Sequence, residues 1–157
     1  MNGEKNFKIC FAASSGGHYE QLMMLKPLME KYDSFVITEQ TDYSAKIVNE
    51  KTYYMKQVNR REKGFIWKIM QNIWKSIWIY KREKPDIVIC TGVLAMIPIC
   101  LISKLKGKKL IYIESFAKVT SPTETGKLLY KFADCFYVQW ESMLKFYPKA
   151  KYLGGIY

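Results

Sequence analysis

Residues 7–18 read FKICFAASSGGH: an apolar run, two serines, two glycines and a histidine. The run predicts a buried strand over Phe7–Ala13, and the spacing of Leu22, Leu25 and Met29 predicts a helix over Tyr19–Lys31. A strand that passes through small residues into a helix makes a cradle for a phosphate, because glycine lets an anion approach the backbone and the positive end of the helix dipole faces it. Ser14, Ser15, Gly16 and Gly17 are therefore candidate diphosphate-binding residues. His18 adds a side chain that can donate to a diphosphate or take a proton near neutral pH. The same letters also suit a tight turn with a helix-capping serine.

Working outward, the chain alternates strand and helix. Strands are expected at Ser34–Thr38, Thr52–Val58, Asp86–Cys90, Lys109–Ile113 and Cys135–Gln139, with a last one near Tyr152 and Leu153. Helices are expected at Tyr43–Asn49, Gly64–Lys84, Ala95–Leu105 and Gly126–Ala133, and around Met143. The strands at 7–13, 86–90, 109–113 and 135–139 are continuous apolar runs rather than alternating ones, the pattern of a parallel sheet covered on both faces. This is the signature of one doubly wound α/β domain spanning residues 1–157, and in such sheets ligands bind beyond the carboxyl ends of the strands.

Composition narrows the function. Of 157 residues, 49% are apolar and 15% aromatic, which suits a packed core, and 25 Lys and Arg against 14 acidic residues give a net charge of +11. That excess favours an anionic partner: a membrane surface, a phosphorylated substrate or nucleic acid. The four cysteines, Cys10, Cys90, Cys100 and Cys135, lie far apart and mostly in apolar runs, so buried thiols are expected rather than disulfides or a metal site. The N-terminus lacks a signal-peptide core, and no uninterrupted apolar stretch reaches the roughly 18 residues of a membrane span. A soluble or surface-attached cytoplasmic protein is expected, without cofactor or metal.

The expected helix 64–84 carries two stripes. Ile66, Ile69, Met70, Ile73, Ile77 and Tyr80 fall on one arc, expected to pack on the sheet. Trp67, Trp74 and Trp78 run beside it, flanked by Lys68 and Lys75, and residues 60–84 hold eight basic residues against two Glu. Tryptophan beside lysine is what an interfacial helix presents to lipid headgroups, so these five residues are the candidate membrane contact. The alternatives are burial of the rings under a neighbouring element, or a basic, aromatic surface for nucleic acid, although no known nucleic-acid-binding motif is present.

Two further loops lead from strand ends. Thr91 and Gly92 open a second helix N-terminus that suits phosphate. Glu114 and Ser115 follow a buried strand directly, where a Glu can orient a sugar hydroxyl or act as a general base if burial raises its pKa. It can equally pair with Lys118 or cap the next helix. The three loops led by His18, Thr91 and Glu114 converge on one sheet edge.

SSGGHYEQL (14–22), PDIVICTGVLAMIP (85–98), YIESFAKV (112–119), TGKLLYKFADCFYVQW (125–140) and the closing LGGIY together resemble the acceptor-side subunit of split glycosyltransferases. Eukaryotic members anchor the two-protein enzyme that adds the second N-acetylglucosamine to a dolichol-diphosphate sugar. Bacterial relatives serve capsular and exopolysaccharide synthesis on undecaprenyl-diphosphate sugars. A weaker similarity runs to the N-terminal half of the peptidoglycan N-acetylglucosaminyltransferase. The resemblance implies a single Rossmann-like domain with a mostly parallel sheet, equivalent to the N-terminal half of a GT-B glycosyltransferase.

By the weaker similarity to the peptidoglycan enzyme, Gly16, Gly17 and His18 would hold the acceptor diphosphate, Thr91 and Gly92 would support it, and Glu114 would lie near the reacting sugar. The chain departs from the pattern in having a single glycine in the second loop and no eukaryotic-type transmembrane anchor, which leaves the Trp–Lys helix to touch the inner face of the plasma membrane. A chain of 157 residues supplies one half of such an enzyme, so a partner subunit binding the UDP-sugar is implied. The tail residues Gly154, Gly155, Ile156 and Tyr157 are its candidate docking segment, or else a last strand of the sheet. A self-sufficient small transferase and a basic nucleotide- or nucleic-acid-binding regulator are the competing functions.

Overall fold

The computed structural model describes residues 7–40 and 51–156. The chain runs β1 (Lys8–Ala12), α1 (Gly17–Met23), α2 (Lys26–Lys31), β2 (Asp33–Gln40), β3 (Thr52–Lys56), α3 (Phe65–Glu83) and β4 (Ile87–Cys90). A 3-10 turn at Leu94–Met96 leads into α4 (Ile97–Leu105), followed by β5 (Lys109–Ile113), α5 (Glu124–Leu129), β6 (Cys135–Val138), a second 3-10 turn at Glu141–Lys145, and β7 (Lys151–Tyr152). The helix expected at Tyr43–Asn49 lies outside the described residues.

The described strands form one sheet in the order β3-β2-β1-β4-β5-β6-β7, and every neighbouring pair is parallel. One face, with Cys10, Phe35, Val88, Leu110 and Phe136, is covered by α3, α4 and α5, which add Ile79, Ile99 and Leu129. The other face, with Ile9, Phe11, Val36 and Ile113, is covered by α1 and α2 through Leu22 and Met29. Burial on both faces is the reason the strands read as unbroken apolar runs. Cys10, Cys90 and Cys100 are buried free thiols and Cys135 is half-buried, as their placement in apolar runs requires.

Two expectations about helices are corrected. The helix foreseen over Tyr19–Lys31 is two short helices, because Pro27 has no N–H to continue α1 and instead sits in the first turn of α2. The second correction concerns α3. Its buried residues are Asn72, Ser76, Ile79 and Glu83, not the Ile66–Tyr80 arc, and Ile66 is 75% exposed. Polar pairing sets this rotation: the Asn72 amide accepts from Lys56 N at 3.0 Å and donates to Lys56 O at 2.8 Å. At the far end Glu83 accepts from the Tyr53 hydroxyl at 2.5 Å and pairs with Lys8 at 2.6 Å. A buried amide and a buried carboxylate that lost these partners would together carry a desolvation penalty of about 2–6 kcal/mol, against about 1.5–3 kcal/mol gained by turning one isoleucine inward.

Candidate functional site

Strand order reverses between β1 and β4, so the loops after these two strands leave in different directions and open a crevice at the carboxyl edge. A cleft of about 550 Å³ occupies that edge. Ser14, Ser15 and His18 come from the loop and helix after β1, Glu39 from β2, Asn59, Arg60 and Arg61 from the segment after β3, and Gly92 from the loop after β4. Tyr112 of β5 and Thr123–Thr125 close the far side.

His18 is held on one side only. Its Nδ1 lies 2.8 Å from the Thr91 carbonyl oxygen, which can only accept, so Nδ1 carries the proton. The Thr91 hydroxyl returns a bond to the His18 carbonyl at 2.9 Å, tying the first loop to the fourth. Gly92 makes this possible. It has a φ of 129°, and a Cβ there would stand 3.0 Å from His18 Cε1 and 3.2 Å from Nδ1. The glycine foreseen as a phosphate support therefore makes room for the imidazole. Burial lowers the His18 pKa, opposed in part by the Thr91 carbonyl and the Glu114 charge. A neutral imidazole with Nδ1 committed presents Nε2 as a lone pair, the form a general base needs.

The remaining first-loop residues divide. Gly16, with a φ of 74°, caps α1 through its carbonyl, which accepts from Tyr19 N at 2.8 Å and Glu20 N at 3.1 Å. A Cβ at Gly16 or Gly17 would meet nothing within 4 Å. No serine side chain caps α1; Ser14 Oγ donates to Ser15 O at 3.2 Å instead. Arg60 and Arg61, two of the three arginines in the chain, bring positive charge to the cleft. Sequence reasoning assigned them to the basic run of α3, although their place just after a strand could have marked them. It also missed Glu39, whose carboxyl burial pushes above its usual range, and Tyr112, whose hydroxyl lies 3.4 Å from Thr123 Oγ1.

Glu114 does not stand in the cleft as expected. It is 1% exposed, and its oxygens accept from Ser115 N at 2.9 Å, Thr123 N at 3.2 Å, Thr123 Oγ1 at 2.8 Å and the Tyr147 hydroxyl at 2.7 Å. Thr123 Oγ1 in turn accepts from Gly126 N at 2.8 Å and caps α5. This carboxylate is a knot that holds the 114–123 loop to α5. A general base needs an unshared oxygen in contact with the substrate, and Glu114 has none to offer. Ser115 is buried beside it and does not line the cleft.

The surface of α3 does expose the tryptophan stripe: Trp67 is 69%, Trp74 67% and Trp78 50% accessible. Trp78 touches Tyr53 edge-on at 5.8 Å and lies under the Arg82 guanidinium at 5.3 Å, while Lys68 pairs with Glu62 at 2.8 Å. No helix of the described residues is long and apolar enough to cross a membrane. The tail folds back on its own domain. Ile156 N donates to Gln139 Oε1 at 3.1 Å, Gln139 Nε2 donates to Glu114 O at 2.9 Å, and Ile156 packs on the α1 side of the sheet. Leu153 stands exposed before it, and Tyr157 lies outside the described residues.

Solved structures share this architecture. MurG of Acinetobacter baumannii superposes with a TM-score of 0.72 at 18% identity over 87% of this chain and 42% of its own. The UDP-N-acetylglucosamine 2-epimerase of Rickettsia bellii gives 0.73 at 12% identity over 96% of this chain and 45% of its own. The chain thus spans less than half of either structure, and the likeness at these identities is one of fold. Among curated proteins, the UDP-N-acetylglucosamine transferase subunit ALG14 of rat is 31% identical over 94% of this chain and 82% of its own length. The human subunit of the same name is 29% identical over 97% and 84%. The model of the family described as "Oligosaccharide biosynthesis protein Alg14 like" matches residues 9–156, and the chain belongs to that family.

Proposed function

We propose that the chain is the acceptor-binding subunit of a two-component glycosyltransferase that extends a polyprenyl-diphosphate-linked saccharide, in capsular or exopolysaccharide synthesis. The observation that carries this reading is His18, fixed through Nδ1 in a polar cleft at the switch point of the sheet whose lining also holds Arg60 and Arg61. In that role the arginines and the loop Ser14–Gly17 hold the diphosphate. The Nε2 lone pair of His18 removes the proton from the acceptor hydroxyl as that oxygen attacks the anomeric carbon of a UDP-sugar, whose bond to the diphosphate oxygen breaks so that UDP leaves with the electron pair. Glu114 keeps the cleft wall in place rather than moving a proton. The UDP-sugar comes from a second, donor-binding subunit, as suits a family whose curated members are named as transferase subunits. Gly154, Gly155 and Ile156, next to the exposed Leu153, form the edge against which that subunit docks.

The experiment is reconstitution. The purified chain, given a lipid-diphosphate sugar and a UDP-sugar, is expected to transfer nothing, and addition of a donor-binding subunit is expected to restore turnover. Robust transfer by the chain alone, on any nucleotide sugar, would show a self-sufficient enzyme.

Binding to the inner face of the plasma membrane is assigned to α3. Basic residues near an anionic surface add about 1 kcal/mol each, and tryptophan holds depth at the headgroups. Lys68→Glu with Lys75→Glu is expected to weaken partition onto anionic vesicles at least about thirtyfold, and high salt should weaken the wild type likewise. Trp67→Ser with Trp74→Ser, at the two most exposed rings, should release the protein while its thermal unfolding stays put. Unaltered vesicle binding by both double variants would move the contact elsewhere.

A further inference from the structure

A second cavity, of about 280 Å³, lies between α3 and α4. Ile69 and Ile73 line it from α3, and Leu101 and Leu105 from α4. Its single polar neighbour is Asn72, whose amide is already committed on both atoms to the backbone of Lys56. A polar occupant would therefore lose its hydration and find no partner. The groove is not isolated: Val58 and Leu94 border both it and the polar cleft. Leu105 on its lining is 85% exposed, and α3 also leaves Ile66 and Met70 uncovered.

The polar cleft of His18, Arg60 and Arg61 and the aliphatic groove therefore adjoin along Val58 and Leu94. A ligand that fills both parts has an anionic head joined to a hydrocarbon chain. We propose that the groove between α3 and α4 receives the first isoprenoid units of the lipid-diphosphate acceptor, directly beyond the diphosphate held in the cleft. This rests on the acceptor-binding reading given above. At the ~30 Å³ that one water-sized group takes up in a liquid, 280 Å³ holds about nine carbons, close to two isoprene units. The chain beyond that leaves past Leu105 into the bilayer. The groove selects for a hydrocarbon attached to the diphosphate, and it lets the acceptor be drawn partly out of the membrane without exposing its first carbons to water.

Calorimetric titration of the wild-type protein with inorganic diphosphate, dimethylallyl, geranyl and geranylgeranyl diphosphates, and free farnesol tests this. Affinity should rise at least tenfold from inorganic to geranyl diphosphate, then by less than threefold to geranylgeranyl diphosphate, whose further carbons lie outside the groove. Leu101→Gln should remove most of the gain from the chain while leaving the inorganic diphosphate titration unaltered. Leu105→Gln, at a position too exposed to threaten the fold, should remove the part contributed by the groove mouth.

If inorganic diphosphate binds and the chain adds less than threefold, or if both variants keep the full gain, the groove assignment is overturned while the reading of the cleft stands. If farnesol binds as tightly as the prenyl diphosphates, or if neither the inorganic nor the prenyl diphosphates bind, the cleft reading fails and this inference fails with it. Displacement of geranyl diphosphate by dihexanoylphosphatidylglycerol at equal concentration would mark the groove as a seat for membrane lipid and overturn its assignment to the acceptor.

Discussion

His18→Ala is expected to lower kcat/KM of the reconstituted transferase by at least 100-fold, the low end of what a positioned general base contributes. The imidazole is half-buried and makes one hydrogen bond through Nδ1, so the accompanying loss of stability should stay near 1 kcal/mol. His18→Asn separates base from tether. Its amide can still donate to the Thr91 carbonyl but has no lone pair in place of Nε2, so it should be stable and as inactive as the alanine variant. The pH profile carries the sign. Burial lowers the His18 pKa, so the neutral, proton-accepting form persists to lower pH than for a free histidine. The acid limb of kcat/KM should fall below the ordinary value of about 6.5, with a flat rate above it. Gly92→Ala tests the same geometry from the other side, because its Cβ lands 3.0 Å from the ring, which must give by some tenths of an ångström, and a φ of 129° strains any side chain there. Activity within threefold of wild type for His18→Ala, under about 1 kcal/mol of transition-state stabilisation, would make the histidine structural.

What the sequence discloses and what it hides divide along a physical line. Strands β1, β4, β5 and β6 were legible because burial on both faces forces an unbroken apolar run, and the loops after them were expected at one carboxyl edge, although the strand order that makes a switch point of β1 and β4 was not. His18 and Thr91 were legible as loop residues at that edge, but their mutual bonds join positions 73 apart and leave no local trace. The rotation of α3 was misread for the same reason. Periodicity counts apolar letters, whereas this helix is held by Asn72 to Lys56 and by Glu83 to Lys8 and Tyr53. The misreading left the tryptophans on the surface in any case, because Trp67 and Trp74 lie away from both possible buried faces. Arg60 and Arg61 were counted into the charge of a helix that begins at Phe65, four residues beyond them. Glu114 was placed correctly at a strand end, but its choice between a proton-moving and a structural role was not legible, since nothing in IYIES announces that Thr123 and Tyr147 will occupy its oxygens.

The last expectation concerns that knot, and it has the largest effect on stability. Glu114→Ala leaves Ser115 N, Thr123 N and the Tyr147 hydroxyl without their acceptor, in a position closed to solvent. Each orphaned donor costs about 1–3 kcal/mol, and water entry relieves part of this, so a loss of about 3–5 kcal/mol on chemical denaturation is expected. Gly126→Ala attacks the same point sterically. The added Cβ would stand 2.6 Å from the Tyr147 hydroxyl and 2.7 Å from Thr123 Oγ1, and closer still to the Glu114 carboxylate. Thr123 is pinned by the cap of α5 and Tyr147 is packed among Tyr130 and Phe136, so neither can withdraw at small cost. Tyr147→Phe supplies the pH test. Burial and the bond to Glu114 raise the Tyr147 pKa above its ordinary value of about 10, so its contribution is complete below that pH and is lost as pH rises through the raised value. The wild type should therefore lose stability more steeply than Tyr147→Phe in alkali, and the difference should vanish at neutral pH apart from the constant cost of the missing bond. If Glu114→Ala instead keeps wild-type stability within about 1 kcal/mol while transfer collapses, the carboxylate touches the reacting sugar after all, and the cleft must open toward it when the acceptor binds.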